Sequence, residues 1–330
     1  MLTSSNLLNS NILAIIVPAF KAKYLRAALQ SIASQTDQRF NLYVCDDCSP
    51  EDLESIYRST FSDPSRGHYI RFPENLGCSS LVAQWNRCVE KTGGEPWLWL
   101  FSDDDLMDKD CVASFYRQRG LVDSDLYRFD TLTIDGFDNV ITINPPHPMA
   151  ESAMAFAYHR LNFKRDSFVV EYIFSREAFV RLGGFIPFPW AWCSDDASWI
   201  AFGGDRPIIG IPGSKVRWRS SAINNGGSPK RNTMEKIEAM ILYSAWLESH
   251  AENEPAKSDR HIMDVLPKLL KHWFFRDLMH YYPLSLSQIW QVGEKISRRW
   301  PEKSALCWAI RIVQGHVGWV LRGAGNRLSG

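Results

Sequence analysis

Apolar and polar positions trade places along the first hundred residues in a regular way. Ile12-Leu13-Ala14-Ile15-Ile16-Val17 is a continuous apolar run, expected as a buried strand stopped by Pro18. Tyr24 to Ser34 follows with Leu25, Ala28, Leu29 and Ile32 at helical spacing. Phe40 to Cys45 reads as a second strand. Asp46-Asp47-Cys48-Ser49-Pro50 is a turn, with Ser49 able to cap and Pro50 able to open a helix that runs to about Thr60. His68 to Phe72 is a short third strand. Pro73-Glu74-Asn75-Leu76-Gly77 is a turn, Ser79 to Lys91 a helix ended by Gly93-Gly94, and Trp97-Leu98-Trp99-Leu100-Phe101 a fourth strand apolar on both faces. Strand and helix alternating four times predicts a parallel, doubly wound α/β sheet.

After Asp110 the pattern loosens. A helix is expected from Cys111 to Arg119, short strands at Leu126–Phe129 and Thr131–Ile143 around Asp135-Gly136, and a loop at Pro145-Pro146-His147-Pro148. Val169–Phe174 reads as a strand and Ser175–Leu182 as a helix closed by Gly183-Gly184. A Pro/Trp-rich loop, Phe185–Cys193, leads into Ser194-Asp195-Asp196 and a helix over Ala197–Phe202. Val216–Arg219 is a strand and Ser220–Arg231 a polar loop. From Asn232 the periodicity is helical: Met234–Ser249, Asp259–Tyr281, Leu284–Arg299 and Glu302–Leu321, punctuated by Pro283 and Pro301. The expected division is therefore a catalytic α/β domain over 1–228 and a helical appendage over 229–330.

Composition changes the picture little. The chain has 330 residues, ample for one large α/β domain with an appendage, and its net charge of zero does not suggest a nucleic-acid binder. The balance hides an asymmetry: from Val265 onward ten Lys/Arg stand against three acids, a surplus of +7. Seven scattered cysteines, an odd count, favour free thiols in a reducing compartment. The CxxC pair Cys45/Cys48 has no second pair or His cluster to complete a zinc site. Met1 to Ser10 lacks a signal-peptide pattern, and no apolar run reaches the roughly 20 residues that span a bilayer. The expectation is a cytoplasmic protein.

The chemistry is expected at the carboxyl ends of the strands, where ligands of such sheets bind. Pro18-Ala19-Phe20, Asp46-Asp47 and Asp103-Asp104-Asp105 all fall there. Three adjacent carboxylates repel unless solvent or a cation offsets them. A hard divalent cation, Mn2+ or Mg2+, suits them, with substrate phosphates supplying further oxygens. The plain alternative is a solvated turn at a helix start. Asp195-Asp196 form a second acidic pair, in which mutual repulsion raises one pKa and so suits one carboxylate to act as a base.

In order and spacing these motifs resemble the family 2 inverting nucleotide-sugar glycosyltransferases of GT-A fold. The matching stretches are Ile15–Phe20, Leu25-x3-Leu29-x2-Ile32-x2-Gln35-Thr36, Cys45-Asp46-Asp47-Cys48-Ser49, Asn75-Leu76-Gly77 with Trp85-Asn86, Phe101–Asp105, Phe174–Phe179 through Gly183-Gly184-Phe185, and Ser194-Asp195-Asp196. The resemblance covers roughly residues 12–227. It implies a mostly parallel sheet, a nucleotide-sugar-binding half at 12–105 and an acceptor half at 106–228. By the same resemblance Asp104 is the direct metal ligand of a DxD-type motif, with Asp105 assisting and Asp103 on the sugar or ribose. Pro18, Phe20, Asp46, Asp47 and Asn75 would grip the nucleotide, with Phe20 stacked on the base and Asp47 on the uracil ring NH. Asp196 would be the catalytic base with Asp195 beside it. From their own chemistry, Arg217 and Arg219 before the polar loop are expected to reach the diphosphate, since Arg suits phosphate, and Trp190 and Trp192 just before the acidic pair are expected as acceptor platforms, with loop anchors the alternative. Two positions depart from the pattern: Lys21 stands where the family often has Asn, and Ser102 where many members have the first Asp. The QxxRW motif of processive synthases is absent from the sequence.

The implied activity is metal-dependent, inverting transfer of a sugar from a UDP-linked donor to a saccharide or lipid-linked hydroxyl in bacterial surface-polysaccharide synthesis. Two rivals are a non-catalytic sugar-nucleotide or glycan-binding module and a nucleotidyltransferase. The sequence shows no Gly-rich phosphate loop near the first strand, which counts against the second. In the tail, Lys268, Lys271 and Arg276 interleave with Trp273, Phe274, Phe275 and Met279, followed by Trp290, Trp300, Trp308 and Trp319. That mixture suggests interfacial helices on an anionic membrane, at the inner face of the plasma membrane; the alternative is packing on the catalytic domain or in a homo-oligomer.

Overall fold

The computed structural model describes residues 12–221, 232–253, 259–281 and 283–325. Met1–Ser10, nearly all of the loop expected at Ser220–Arg231, and Arg327 lie outside the described residues. The described chain divides into two units. The first holds residues up to Pro187 and from Ser194 through the last strand; the second holds Phe188–Cys193 and the helices beyond residue 231.

In the first unit, β1 (Leu13–Ala19), α1 (Ala22–Ala33), β2 (Phe40–Asp46), α2 (Leu53–Thr60), β3 (Gly67–Arg71), α3 (Leu81–Glu90) and β4 (Trp97–Leu100) alternate as the pattern predicts. Then come β5 (Leu106–Met107), α4 (Cys111–Leu121), β6 (Leu126–Ile134), β7 (Val140–Ile143), β8 (Ala150–Glu151) and α5 (Ala153–Leu161). They are followed by β9 (Tyr172–Ser175), α6 (Arg176–Arg181), α7 (Ser194–Gly203) and β10 (Ile208–Arg219). The strands form one sheet in the order β3-β2-β1-β4-β9-β6-β10-β5, with β7 on β6 and β8 on β10. Strands β3, β2, β1 and β4 run parallel. The other half is mixed: β9 is antiparallel to both β4 and β6, while β10 is parallel to β6. A mostly parallel sheet therefore describes the first half only, because β9 inserts between β4 and β6 in the reverse sense.

Strand β1 runs through Pro18 to Ala19 rather than stopping at it. Successive residues face alternate neighbours, so Pro18 lies on the β4 side, two positions past Ile16, whose carbonyl accepts from Phe101 N at 2.7 Å. β4 has ended there, so the missing N–H costs no ladder bond. The core of this half is Leu13, Ile15, Val17, Leu25, Leu29, Leu42, Val44, Trp99 and Phe101, all essentially fully buried. Trp99 stacks on Phe129 at 5.1 Å and donates through Nε1 to the Val170 carbonyl at 2.7 Å, so its one polar atom is satisfied.

The second unit consists of α8 (Thr233–Asn253), α9 (Arg260–Leu278), α10 (Leu286–Arg299) and α11 (Ala305–Gly325) with the loop Phe188–Cys193. Its core includes Tyr243, Leu270, Phe274, Ile296, Trp308 and Ile312. A Ser285/Gln288 capping box starts α10. Gly293 lets α11 approach: a Cβ there would lie 2.7 Å from the Ala305 carbonyl.

Candidate active site

Three strand ends meet around the acidic motif. After β4 the chain turns through Ser102-Asp103-Asp104-Asp105, and each carboxylate takes a different partner. Asp103 Oδ2 accepts from the backbone amides of Phe20 at 2.9 Å and Lys21 at 3.0 Å, which joins the end of β1 to the end of β4. Burial and the neighbouring Asp104 push its carboxyl up to about 6, against the two amides. Asp105 turns toward β10, where its Oδ1 accepts the Arg219 amide at 2.6 Å; burial and Asp104 raise it well above the usual carboxylate range. Among the described residues the Asp104 carboxylate accepts only the Ser102 hydroxyl, so the Ser that departs from the family pattern supports the central carboxylate.

Arg219 does not reach outward to a diphosphate. It is fully buried, donating to the Asp104 carbonyl at 2.6 Å and the Asp135 carbonyl at 2.8 Å, paired with Asp138, and lying over the Tyr24 ring at 4.3 Å. The acidic turn and the β6–β7 turn are both tied to it, so its charge is spent behind the site. Asp105 is likewise an anchor for the end of β10 rather than a second outward ligand. Arg217 pairs with Asp108 at 2.9 Å.

The Asp46-Asp47 turn is also scaffolding. Asp46 is fully buried and accepts from Ser49 N at 2.7 Å, the Tyr69 hydroxyl at 2.6 Å and Arg71. Asp47 accepts from the amides of Leu76 and Gly77, each at 2.9 Å, and pairs with Arg87. Its carboxylate therefore shapes the Asn75–Gly77 turn instead of standing open for a uracil NH. Gly77 is required by that approach, since a Cβ would fall 2.6 Å from Asp47 Oδ2. Asn75 caps the turn by accepting from Cys78 N at 2.8 Å. Pro18 is half-buried within β1. Of the residues expected on the nucleotide, Phe20 alone presents an open ring, 37% exposed at the end of β1, with its carbonyl held by the Ser49 hydroxyl at 2.7 Å.

The second acidic pair opens α7. That helix is buried almost all round, with Trp199 stacked on Tyr172 at 4.5 Å and edge-on to Phe185 and Phe202. Its carboxylates thus stand on a rigid element. Asp196 is gripped from α5 by Arg160, which donates through Nε at 3.1 and 3.0 Å and through Nη2 at 2.8 Å. Asp195 is not so held. Burial and the charge of Asp196 push it up to about 7, while Arg160 pulls the other way. The expectation that repulsion would raise one of the two therefore falls on Asp195, the reverse of the assignment that makes Asp196 the base. Arg160, which sequence reasoning missed, had no signal: it lies 36 positions from Asp196 in an ordinary helix.

Trp190 and Trp192 are half-buried members of the second unit. Trp192 is edge-on to Tyr281 at 6.4 Å and has the Lys236 ammonium 4.6 Å over its ring, so that face is not an open sugar platform. Trp190, Ala191 and Cys193 have φ of 59°, 55° and 63°, left-handed values that cost non-glycine residues.

The sheet, whose parallel half ends in an acidic turn and which packs a buried helix opened by a second acidic pair, matches the GT-A fold of glycosyltransferase structures. Residues 14–120 match the family model of glycosyl transferase family 2. No curated protein matches the chain by sequence. Among solved structures it is similar in fold to S. aureus TarS. Residues 1–349 of TarS with UDP-GlcNAc superpose with a TM-score of 0.61 at 14% identity, over 92% of this chain and 89% of that one. The same fragment with UDP gives 0.57 at 14% identity over 92% and 88%. A longer TarS chain gives 0.60 at 15% identity, over 92% of this chain and 54% of that one.

Proposed function

We propose that the protein transfers a sugar from a UDP-linked donor to a hydroxyl of a saccharide or lipid-linked acceptor, with inversion, in polysaccharide assembly. The observation that carries this reading is the division of labour in the acidic motif. Asp103 and Asp105 are committed to backbone amides at the end of β1 and in β10, and among the described residues the Asp104 carboxylate is left with a hydroxyl alone. The UDP-GlcNAc and UDP complexes of TarS support a uridine donor across the common fold.

The motif's donors are hard oxygens, which suit Mg2+ or Mn2+. Among the described residues no cluster of three or more His, Cys, Asp or Glu could hold a metal ion unaided. The fit is therefore to a cation held by Asp104 and completed by the donor's own diphosphate. Bound there, a divalent cation offsets the negative charge that develops on the departing nucleotide.

The chain's own residues do the rest. Phe20 stacks on the base at the open end of β1. Asp103, with both backbone bonds on Oδ2, keeps Oδ1 for a ribose or sugar hydroxyl. Asp195 takes the proton of the acceptor hydroxyl as its oxygen attacks the anomeric carbon and the nucleoside diphosphate leaves from the opposite face. A carboxylate titrating near 7 is well matched to that task. Asp196, fixed by Arg160, supplies the neighbouring charge that keeps Asp195 basic.

Incubation with UDP-sugars and added Mn2+ tests the reading. Metal-dependent release of UDP that disappears in Asp104→Ala is expected. Tight UDP binding with no turnover of any donor, in the presence of acceptor saccharides, would leave the non-catalytic binding module as the better account.

A further inference from the structure

The tail's aromatic and basic residues suggest a lipid-facing surface, yet the structure buries four of those aromatics, leaves Phe275 half-buried and exposes Trp290 at 46%, while the Trp319 side chain lies outside those described. Trp273, Phe274, Trp300 and Trp308 lie in the core of the helical unit. A different set faces out. On α11, Leu306, Ile310, Val313 and Val317 are 57%, 49%, 40% and 50% exposed. Their spacing of four, three and four residues places them on one stripe. The opposite face is already used by the unit's own fold: Trp308 and Ile312 are buried, and a Cβ on Gly315 would touch Met279 at 3.3 Å. The helix is thus apolar on two faces, one of which nothing in the chain covers among the described residues.

Charge says what covers it. From Lys303 to Gly325 there is no carboxylate, while Lys303, Arg311 and Arg322 are basic. Lys303 and Arg311 are exposed, with their cationic groups over the Trp308 ring at 5.6 and 5.5 Å, on one flank of the stripe. Exposed Arg298 on α10 adds to the same sign. An apolar stripe flanked by cations is the pattern of a helix lying in the plane of a membrane interface. No helix among the described residues is long and apolar enough to cross a membrane. A second copy fits less well. The stripe offers on the order of 300 Å² of apolar surface, against about 800 Å² per partner in a stable interface, and two copies of α11 would oppose like charges.

We propose that α11 is an interfacial helix that seats Leu306, Ile310, Val313 and Val317 on an anionic lipid surface, with Lys303 and Arg311 at headgroup level. The test is flotation of the full chain with phosphatidylcholine vesicles, with and without phosphatidylglycerol, at low and physiological salt. The wild type floats with the anionic vesicles, at least about tenfold more than with the zwitterionic ones, and loses binding as salt rises. Ile310→Asp/Val313→Asp loses flotation at least about tenfold while its melting curve and UDP binding match the wild type. Ile310→Ser serves as a milder variant if the double substitution lowers the melting temperature. Failure of the wild type to float with anionic vesicles at low salt overturns the proposal. So does a double variant that floats as well as the wild type. A wild-type dimer that Ile310→Asp converts to monomer, with neither binding vesicles, overturns it in favour of a second copy. Because UDP binding is read separately, none of these results bears on the transferase assignment.

Discussion

The two acidic sites are built in opposite ways. At the β4 end the two outer carboxylates are held by backbone amides: Phe20 and Lys21 for Asp103, Arg219 for Asp105. At the start of α7 the holding group is one guanidinium, Arg160 on Asp196. Backbone amides survive every substitution of the residue that supplies them except to proline, and they place charge without adding any. A guanidinium brings a full charge, so it both orients its carboxylate and adjusts the basicity of the neighbour. The first arrangement suits a site that must keep its shape around a diphosphate. The second suits a site that must tune a proton acceptor.

The largest expected effect separates the two members of the base pair. Asp195→Asn should lower the transfer rate by about a thousandfold, and Asp196→Asn by at least about tenfold less, read from initial rates at saturating donor. The reverse order would return the base to Asp196. Asp104→Ala should cost at least about a hundredfold on the donor side. Arg160→Ala comes next. Without the guanidinium that pulls Asp195 down, the acid limb of the pH–rate profile moves to higher pH. The loss is about tenfold at pH 7 and shrinks in more alkaline buffer, and Arg160→Lys restores part of it. A structural role alone would lower the rate equally at every pH.

Stability separates the sites further. Arg219→Met leaves the Asp104 and Asp135 carbonyls and Asp138 without their buried partner, and should destabilise the fold by about 3 kcal/mol in denaturant titration. Gly77→Ala should cost about 1–2 kcal/mol, because the methyl group displaces Asp47. The smallest effect has an informative sign. Asp195 has a folded pKa near 7, above its unfolded value near 4. Its contribution to stability is full below pH 4 and is lost as pH rises through 7. Asp195→Asn should therefore melt a few degrees higher than the wild type at pH 8 and gain nothing at pH 4, even though it is inactive.

The same contrast explains what the sequence discloses. Local signals sufficed for the first half: apolar runs gave β1 to β4, and the strand ends gave Phe20, Asp47 and Asp103–Asp105 as a cluster. Which member of each cluster faces a ligand was not legible, because it depends on partners far along the chain. Asp105 is claimed by Arg219, 114 positions away, and Asp47 by Arg87, 40 positions away. Arg219 itself reads from sequence as a phosphate-binding arginine beside a polar loop. Its burial becomes evident only when β10 is seen paired with β6 and the β6–β7 turn folded over it. Trp192 fails for a related reason: proximity to the base motif in sequence did not reveal that its ring is taken by Lys236 and Tyr281.

The most direct test of the account is calorimetric titration of UDP and GDP, with and without Mn2+, on the wild type and Asp104→Ala. UDP binding that requires the metal and falls at least about tenfold in Asp104→Ala is expected, with GDP binding weaker. UDP binding indifferent to both metal and Asp104 would contradict it.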